Sequence, residues 1–201
     1  MVNINAFIQN FPEFLTGANN SSPWLIPMSL TDILHNRISH LGSEYLVKND
    51  VAIHNTAVVE YGAMVKGPAI ISPHCFVAAS AYMRGGVYLG ESAVIGPGCE
   101  VKSSVILNNT HLAHFNYIGD SLIGCQVNFE AGAVACNHWN ERTEKQITLV
   151  YQSTSITTGI EKFGAIIGDF SKIGANAVLS PGTILSKNSI VKRLDLIEQS
   201  L

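Results

Sequence analysis

The sequence predicts an all-β fold, a parallel β-helix from about residue 51 to near the end of the 201-residue chain, and two registers of a six-residue repeat carry that expectation. Ile53, Val59, Val65, Ile71, Val77, Met83, Leu89, Ile95, Val101 and Leu107 open ten consecutive units, and all are apolar. In a chain that is 47% apolar such a run has a chance on the order of 1 in 2,000 for one chosen phase. Four residues after each start come Ala57, Ala63, Ala69, Cys75, Ala81, Val87, Ala93, Cys99 and Val105, until His111 breaks the series. Neither a strand meander nor an α-helix asks for period six. A coil of short flat faces does, with small residues where tight corners leave little room.

Ahead of the repeat, residues 1–50 read as a short helical and capping segment. Ser29 is placed to cap a helix in which Leu30, Ile33, Leu34, Ile38 and Leu41 recur at helical spacing, with Gly42 placed to end it. This helix is expected to pack on one end of the main domain. Residues 1–24 carry Phe7, Phe11, Phe14 and Trp24 without a clean period; capping the open coil is the role expected of them, because the terminal units of repeat proteins need a covered outer face. Within 51–201 the phase is expected to slip between Ala113 and Ile123, to resume through Phe129 and Ala135, and to return at Ile167, Ile173, Leu179, Leu185 and Val191. Between lies an insertion, about 137–162, whose neighbourhood holds Trp139, Tyr151 and Phe163. Those aromatics argue against disorder, and a protruding loop bordering a site is expected.

Charged residues make up 13% of the chain and the net charge is −3, which leaves no broad electrostatic footprint for nucleic acid. The first Lys or Arg is Arg37, so no basic leader is visible, and no stretch reaches the roughly 18 apolar residues of a membrane span. No nucleic-acid or membrane partner and a cytoplasmic location are therefore expected. Cys75, Cys99, Cys125 and Cys136 show no CxxC spacing and read as small buried hydrophobes.

Proteins with this six-residue pattern resemble one another in winding three hexads into each triangular, left-handed coil, so that residues 18 apart stack. By that resemblance Lys66, Arg84 and Lys102 form one row, with neighbours about 4.8 Å apart. No acidic partner is expected at that spacing, and the row is either a solvated stripe or an anion site in which a phosphate offsets the repulsion. The segment His114-Phe-Asn-Tyr-Ile-Gly-Asp120 interrupts the pattern. Its histidine is a candidate general base, a structural residue, or one of a metal-binding set with His74, His111 and His138.

Two blocks, HFNYIGDSLIGCQVNFEAGAVACN from His114 to Asn137 and KFGAIIGDFSKIGANAVLSPGT from Lys162 to Thr183, resemble the acetyltransferase half of the bacterial bifunctional N-acetylglucosamine-1-phosphate uridyltransferases and their shorter relatives. The likeness covers about residues 51–185. It implies a left-handed parallel β-helix of hexapeptide repeats that transfers acetyl from acetyl-CoA to the amine of an amino-sugar phosphate. By the same likeness His114 is the base, Arg84, Lys102 and Lys162 hold the phosphate, Tyr117 and Asn128 contact the sugar, and sites are completed by neighbours in a homotrimer. No residue is assigned to the acyl donor. Residues 1–50 hold no L-x-A-G-x-G-T-R-M segment, so nucleotidyl transfer is not expected. Two other functions stay open at this point: a non-catalytic or regulatory subunit that keeps a sugar-phosphate pocket, and a zinc enzyme of the carbonic-anhydrase-like hexapeptide type.

Overall fold

Three ladders of short parallel strands, one per face of a triangular coil, make up most of the computed structural model, which describes residues 2–16 and 22–199. On the first face Ile53, Ile71, Leu89, Ile106, Ile123, Ile167 and Leu185 stack in register. On the second the stack is Val59, Val77, Ile95, Leu112, Phe129, Ile173 and Val191. On the third it is Val65, Met83, Val101, Ile118, Ala135, Leu179 and Ile197. These side chains point inward and form one continuous core. Each second corner is turned by a residue in the left-handed region: Gly62, Ser80, Gly98, Phe115, Gly132, Asn176 and Leu194.

The repeat loses its 18-residue pitch one coil earlier than the sequence suggests. Leu89 pairs with Ile106 and Ile106 with Ile123, so two successive coils have 17 residues. Ile106, not Leu107, fills the interior, and Leu107 is buried on the outside of the first face. A second slip, between Ile118 and Ile123, falls in the expected interval. Shortening a corner shifts the inward corner column onto Ser104, Thr110, Asn116 and Ser121, all buried. Their polar groups take up backbone groups that the shortened ladder leaves over. Ser104 Oγ donates to Lys102 O (2.7 Å) and accepts the Ser121 N–H (3.0 Å). Thr110 donates to Gly124 O (2.6 Å) and accepts the Val127 N–H (3.0 Å). Asn116 Nδ2 donates to Glu130 O and Ala133 O.

Cys75 and Cys99 sit in the core, where burial pushes the Cys75 thiol up to about 11. Cys125 and Cys136 are only half-buried. All four are free thiols.

The outward residues of the first face, Ala52, Ile70, Tyr88, Val105, Leu122, Ile166 and Ile184, are apolar, and the structure covers them. The helix spans Ile26–Ile38 and is led in by the turn Pro23–Leu25, so Ser29 lies inside it rather than at its cap; it closes at Ser39, before Gly42. Leu30 and Leu34 join Phe7, Ile8, Phe11, Leu15 and Trp24 in one cluster with Ile70, Val105 and Leu107. The N-terminal segment thus lies along the flank of the β-helix, not across its open end. What caps the first-face ladder is the strand Tyr45–Lys48, antiparallel to Val51–His54.

The insertion forms a hairpin, Thr148–Tyr151 against Thr154–Thr157. Leu149 of the hairpin and Trp139, Ile147 and Phe163 of its flanks join the same outer cluster, beside Leu122, Ile166 and Ile184. Asp169, buried, fastens the N-terminal segment to this side: its carboxylate accepts the Gln9 and Cys125 N–H groups (both 2.8 Å), and its own N–H donates to Phe7 O.

Candidate active site

The third face carries its charge outside. Arg84 and Lys102 are register partners, and Lys66 continues the row, its N–H bonded to Met83 O. Lys66 Nζ and Arg84 Cζ lie 5.1 and 5.7 Å from the Tyr82 ring centroid, within cation–π range.

The cations are not bare, contrary to the expectation from spacing. Glu100 Oε1 accepts from Arg84 Nε (2.9 Å) and Nη2 (2.6 Å), and Asp120 accepts Lys102 Nζ at 2.8 and 2.7 Å. Asp120 stands 18 residues after Lys102, but the coil there has 17, so Gly119 takes the place in the row and Asp120 falls at the corner beyond it. There its left-handed backbone (φ 46°) aims the carboxylate back at Lys102. Asparagine and aspartate tolerate that conformation better than most residues.

Gly119 creates the space for this group. A Cβ there would stand 2.6 Å from Tyr117 Oη and 2.8 Å from Asn137 Cγ, closer than side chains pack. Tyr117, Lys102, Asp120 and Asn137 therefore converge on one notch, where Asn137 Nδ2 donates to Asp120 Oδ2. Burial, then the nearby Asp120 and Glu100 carboxylates, push the Tyr117 phenol pKa up, so the hydroxyl keeps its proton at neutral pH. The hydrogen bond to Glu100 raises the Arg84 pKa further.

His114 is exposed at the corner that leads into the third face, and its carbonyl accepts the Gly132 N–H (2.8 Å). Tyr117 is in register with Glu100 and Gly119 with Lys102. His114 and Lys102 therefore border the same face from opposite ends, because two faces forward around a triangle is one face back. Lys162, also exposed, lies at the far corner: the following Phe163 N–H donates to Asn137 O and the Gly164 N–H to Asp120 O. Both ends of the insertion thus adjoin the cluster. Asn128 does not. It is exposed on the second face, in register between His111 and Lys172, in a cleft of about 440 Å³ with Glu130, Lys172, Lys192 and Arg193.

The structure brings Arg84, Lys102 and Tyr117 together, sets His114 and Lys162 at the two borders, and leaves Asn128 on another side. His74, His111, His114 and His138 do not converge; among the described residues no three His, Cys, Asp or Glu side chains are grouped to hold a metal ion. Glu100, Asp120 and Asn137 went unrecognised in the sequence. For Asp120 a signal was present, its 18-residue distance from Lys102. Among the described residues no helix is long and apolar enough to cross a membrane.

Residues 65–138 match the family described as the GMPPB C-terminal domain. The bifunctional protein GlmU of Methanococcus vannielii is 31% identical over 185 residues, covering 89% of this chain and 44% of that protein. GlmU of Picosynechococcus sp. is 36% identical over 148 residues, 72% of this chain and 27% of the relative. A bifunctional sugar-1-phosphate nucleotidylyltransferase/acetyltransferase of Sulfurisphaera tokodaii is 31% identical over 136 residues, 68% of this chain and 33% of the relative. The chain thus spans less than half the length of these curated relatives. They uphold the resemblance carried by the two sequence blocks, to the C-terminal acetyltransferase half of such bifunctional proteins.

Proposed function

From this kinship with the bifunctional GlmU proteins, we propose that the chain is an N-acyltransferase that moves acetyl from acetyl-CoA to the amine of an amino-sugar phosphate. The observation that carries the reading is the third face, where Arg84 and Lys102 stack beside Tyr117 between the two exposed groups His114 and Lys162. His114 takes the proton from the acceptor amine as its nitrogen attacks the thioester carbonyl; the carbon–sulfur bond breaks and coenzyme A leaves as the thiol. Arg84, Lys102 and Lys162 hold the phosphate, and Tyr117 orients the ring through its protonated hydroxyl. Holding the acceptor in place converts a bimolecular encounter into a positioned one.

Asn128 enters this scheme only from a second copy, because its own third face points elsewhere. The first face is covered, so neighbours meet the second and third faces, and a closed ring of three lets each site combine both. The test is a coenzyme-A release assay over a panel of amino-sugar phosphates and nucleotide amino sugars, with light scattering on the same sample. Acceptor-dependent release from a particle of three chains is the expected result. Absence of release across the panel overturns the activity, and a mass of one chain overturns the shared site.

A further inference from the structure

We infer that Glu100, backed by Asp120, is a specificity-determining residue that bars small inorganic anions from the Arg84–Lys102 row, which then accepts a phosphate only from a ligand that also brings hydrogen-bond donors. This rests on the amino-sugar phosphate reading above and goes beyond it.

Each of the two register-paired cations has its own carboxylate, at 2.6 Å for Arg84–Glu100 and 2.7 Å for Lys102–Asp120. The four groups sum to zero charge, so a dianion arriving there meets no net attraction from them. The pairs differ in what they leave for a ligand. Asp120 is nearly buried, and both its oxygens are engaged, Oδ1 by Lys102 and Oδ2 by Lys102 and Asn137. It is a closed part of the wall. Glu100 is about one-third exposed, and Arg84 uses only Oε1; among the described residues no donor engages Oε2. A ligand at Arg84 therefore also meets a carboxylate oxygen that can only accept.

Above its second pKa inorganic phosphate is chiefly a dianion with a single hydroxyl; it has little to give that oxygen, and the like charges a few ångströms apart repel. A sugar phosphate brings hydroxyl or ammonium donors a few bonds from its anionic end and satisfies both partners. Discrimination then comes from a repulsive element built into the site as much as from its attractive ones. The arrangement fits an enzyme that must leave its acceptor site open in the presence of free phosphate.

The experiment titrates inorganic phosphate, at constant ionic strength and at a pH above its second pKa, into the full chain and its Glu100→Gln and Glu100→Gln/Arg84→Ala variants, reading both heat and melting temperature. Glu100 lies on the outer surface, and Glu100→Ala serves as a second variant should the amide disturb folding. The expected result is no saturable binding by the wild type, a gain of about 10-fold or more in phosphate affinity for Glu100→Gln, and loss of that gain in the double variant. Wild-type phosphate binding equal to that of Glu100→Gln overturns the inference, as does a gain that survives loss of Arg84. A parallel titration with glucosamine phosphate separates the two questions. Failure of the wild type to bind it, together with no release across the acceptor panel, sinks the acceptor reading, while the inorganic-phosphate comparison still decides the role of Glu100.

Discussion

The first and third faces of this β-helix share one interior and differ outside. Inward, both present a file of aliphatic side chains at the same pitch. Outward, the first face shows Ile70, Val105, Leu122 and Ile166 and is buried a second time beneath the N-terminal helix and the hairpin, whereas the third shows Tyr82, Arg84, Glu100, Lys102 and Tyr117 and remains open. Parallel strands buried on both sides read as continuous apolar runs, as Ala69-Ile70-Ile71 and Ala165-Ile166-Ile167 do. The inward file reports the fold, and the outward residues report what each face is for. Substitutions on the two faces should therefore fail in different ways: stability on the first, function on the third.

The sharpest contrast is His114→Ala at the border of the third face. The side chain is exposed, so its removal opens no core cavity, and melting should be unchanged while turnover drops about 10²- to 10⁴-fold, the usual worth of a positioned base. A stable variant that keeps wild-type coenzyme-A release would remove His114 from the mechanism. On the other face, Leu34→Ala truncates a fully buried helix residue and should cost about 2–5 kcal/mol. Denaturant unfolding measures it. The turnover of the folded fraction should stay near wild type; a comparable loss there would mean that the N-terminal layer reaches the site. Arg84→Ala should spare stability, since its ion pair with Glu100 lies at the surface, and should weaken amino-sugar phosphate binding about 10- to 150-fold, the worth of one charge-assisted hydrogen bond to the phosphate. Unchanged affinity would return the row to a solvated stripe.

Most of the fold was legible because a six-residue period leaves few alternatives. Ile71, Val77, Met83, Leu89, Ile95 and Val101 all face inward, as their spacing requires. What went unread were the places where spacing stops being informative. After Val101 the next apolar run, Val105-Ile106-Leu107, offers more than one phase, and only the pairing of Ile106 with Leu89 decides between them. Asp120 was within reach of the sequence: an 18-residue ruler from Lys102 lands on it, and although the 17-residue coil moves it from the row to the corner, its carboxylate returns to Lys102. Glu100 escaped because it reaches Arg84 diagonally between coils, at a separation of 16. The N-terminal helix was legible from its Leu30, Ile33 and Leu34 periodicity, but its docking place was not. The clue was the outward apolar file of the first face, and that file becomes visible only once the phase is right.

The smallest effect tests the shortened coils themselves. Ser104 sits in the inward corner column, where 18-residue coils carry Cys75, Ala81, Ala93 or Cys99, and among the described residues its hydroxyl is the only group bonded to the Ser121 N–H. Ser104→Ala keeps nearly the volume and removes that acceptor, leaving a buried amide unpaired at a cost of about 1–3 kcal/mol. Ser189 holds the same column position in the last coil, but its hydroxyl donates to Ser186 O, and its own amide already has that carbonyl as partner. Ser189→Ala should therefore leave stability within about 0.5 kcal/mol of wild type. Urea unfolding of both variants, with hydrogen exchange at the Ser121 amide, measures the difference. If Ser104→Ala is as neutral as Ser189→Ala and the Ser121 amide stays protected, the hydroxyls do not compensate for the missing residue, and the 17-residue coils must be stabilised by backbone adjustment alone. A loss confined to Ser104→Ala would instead mean that the polar corner is what lets the third face shift register here, and so what brings Asp120 onto Lys102.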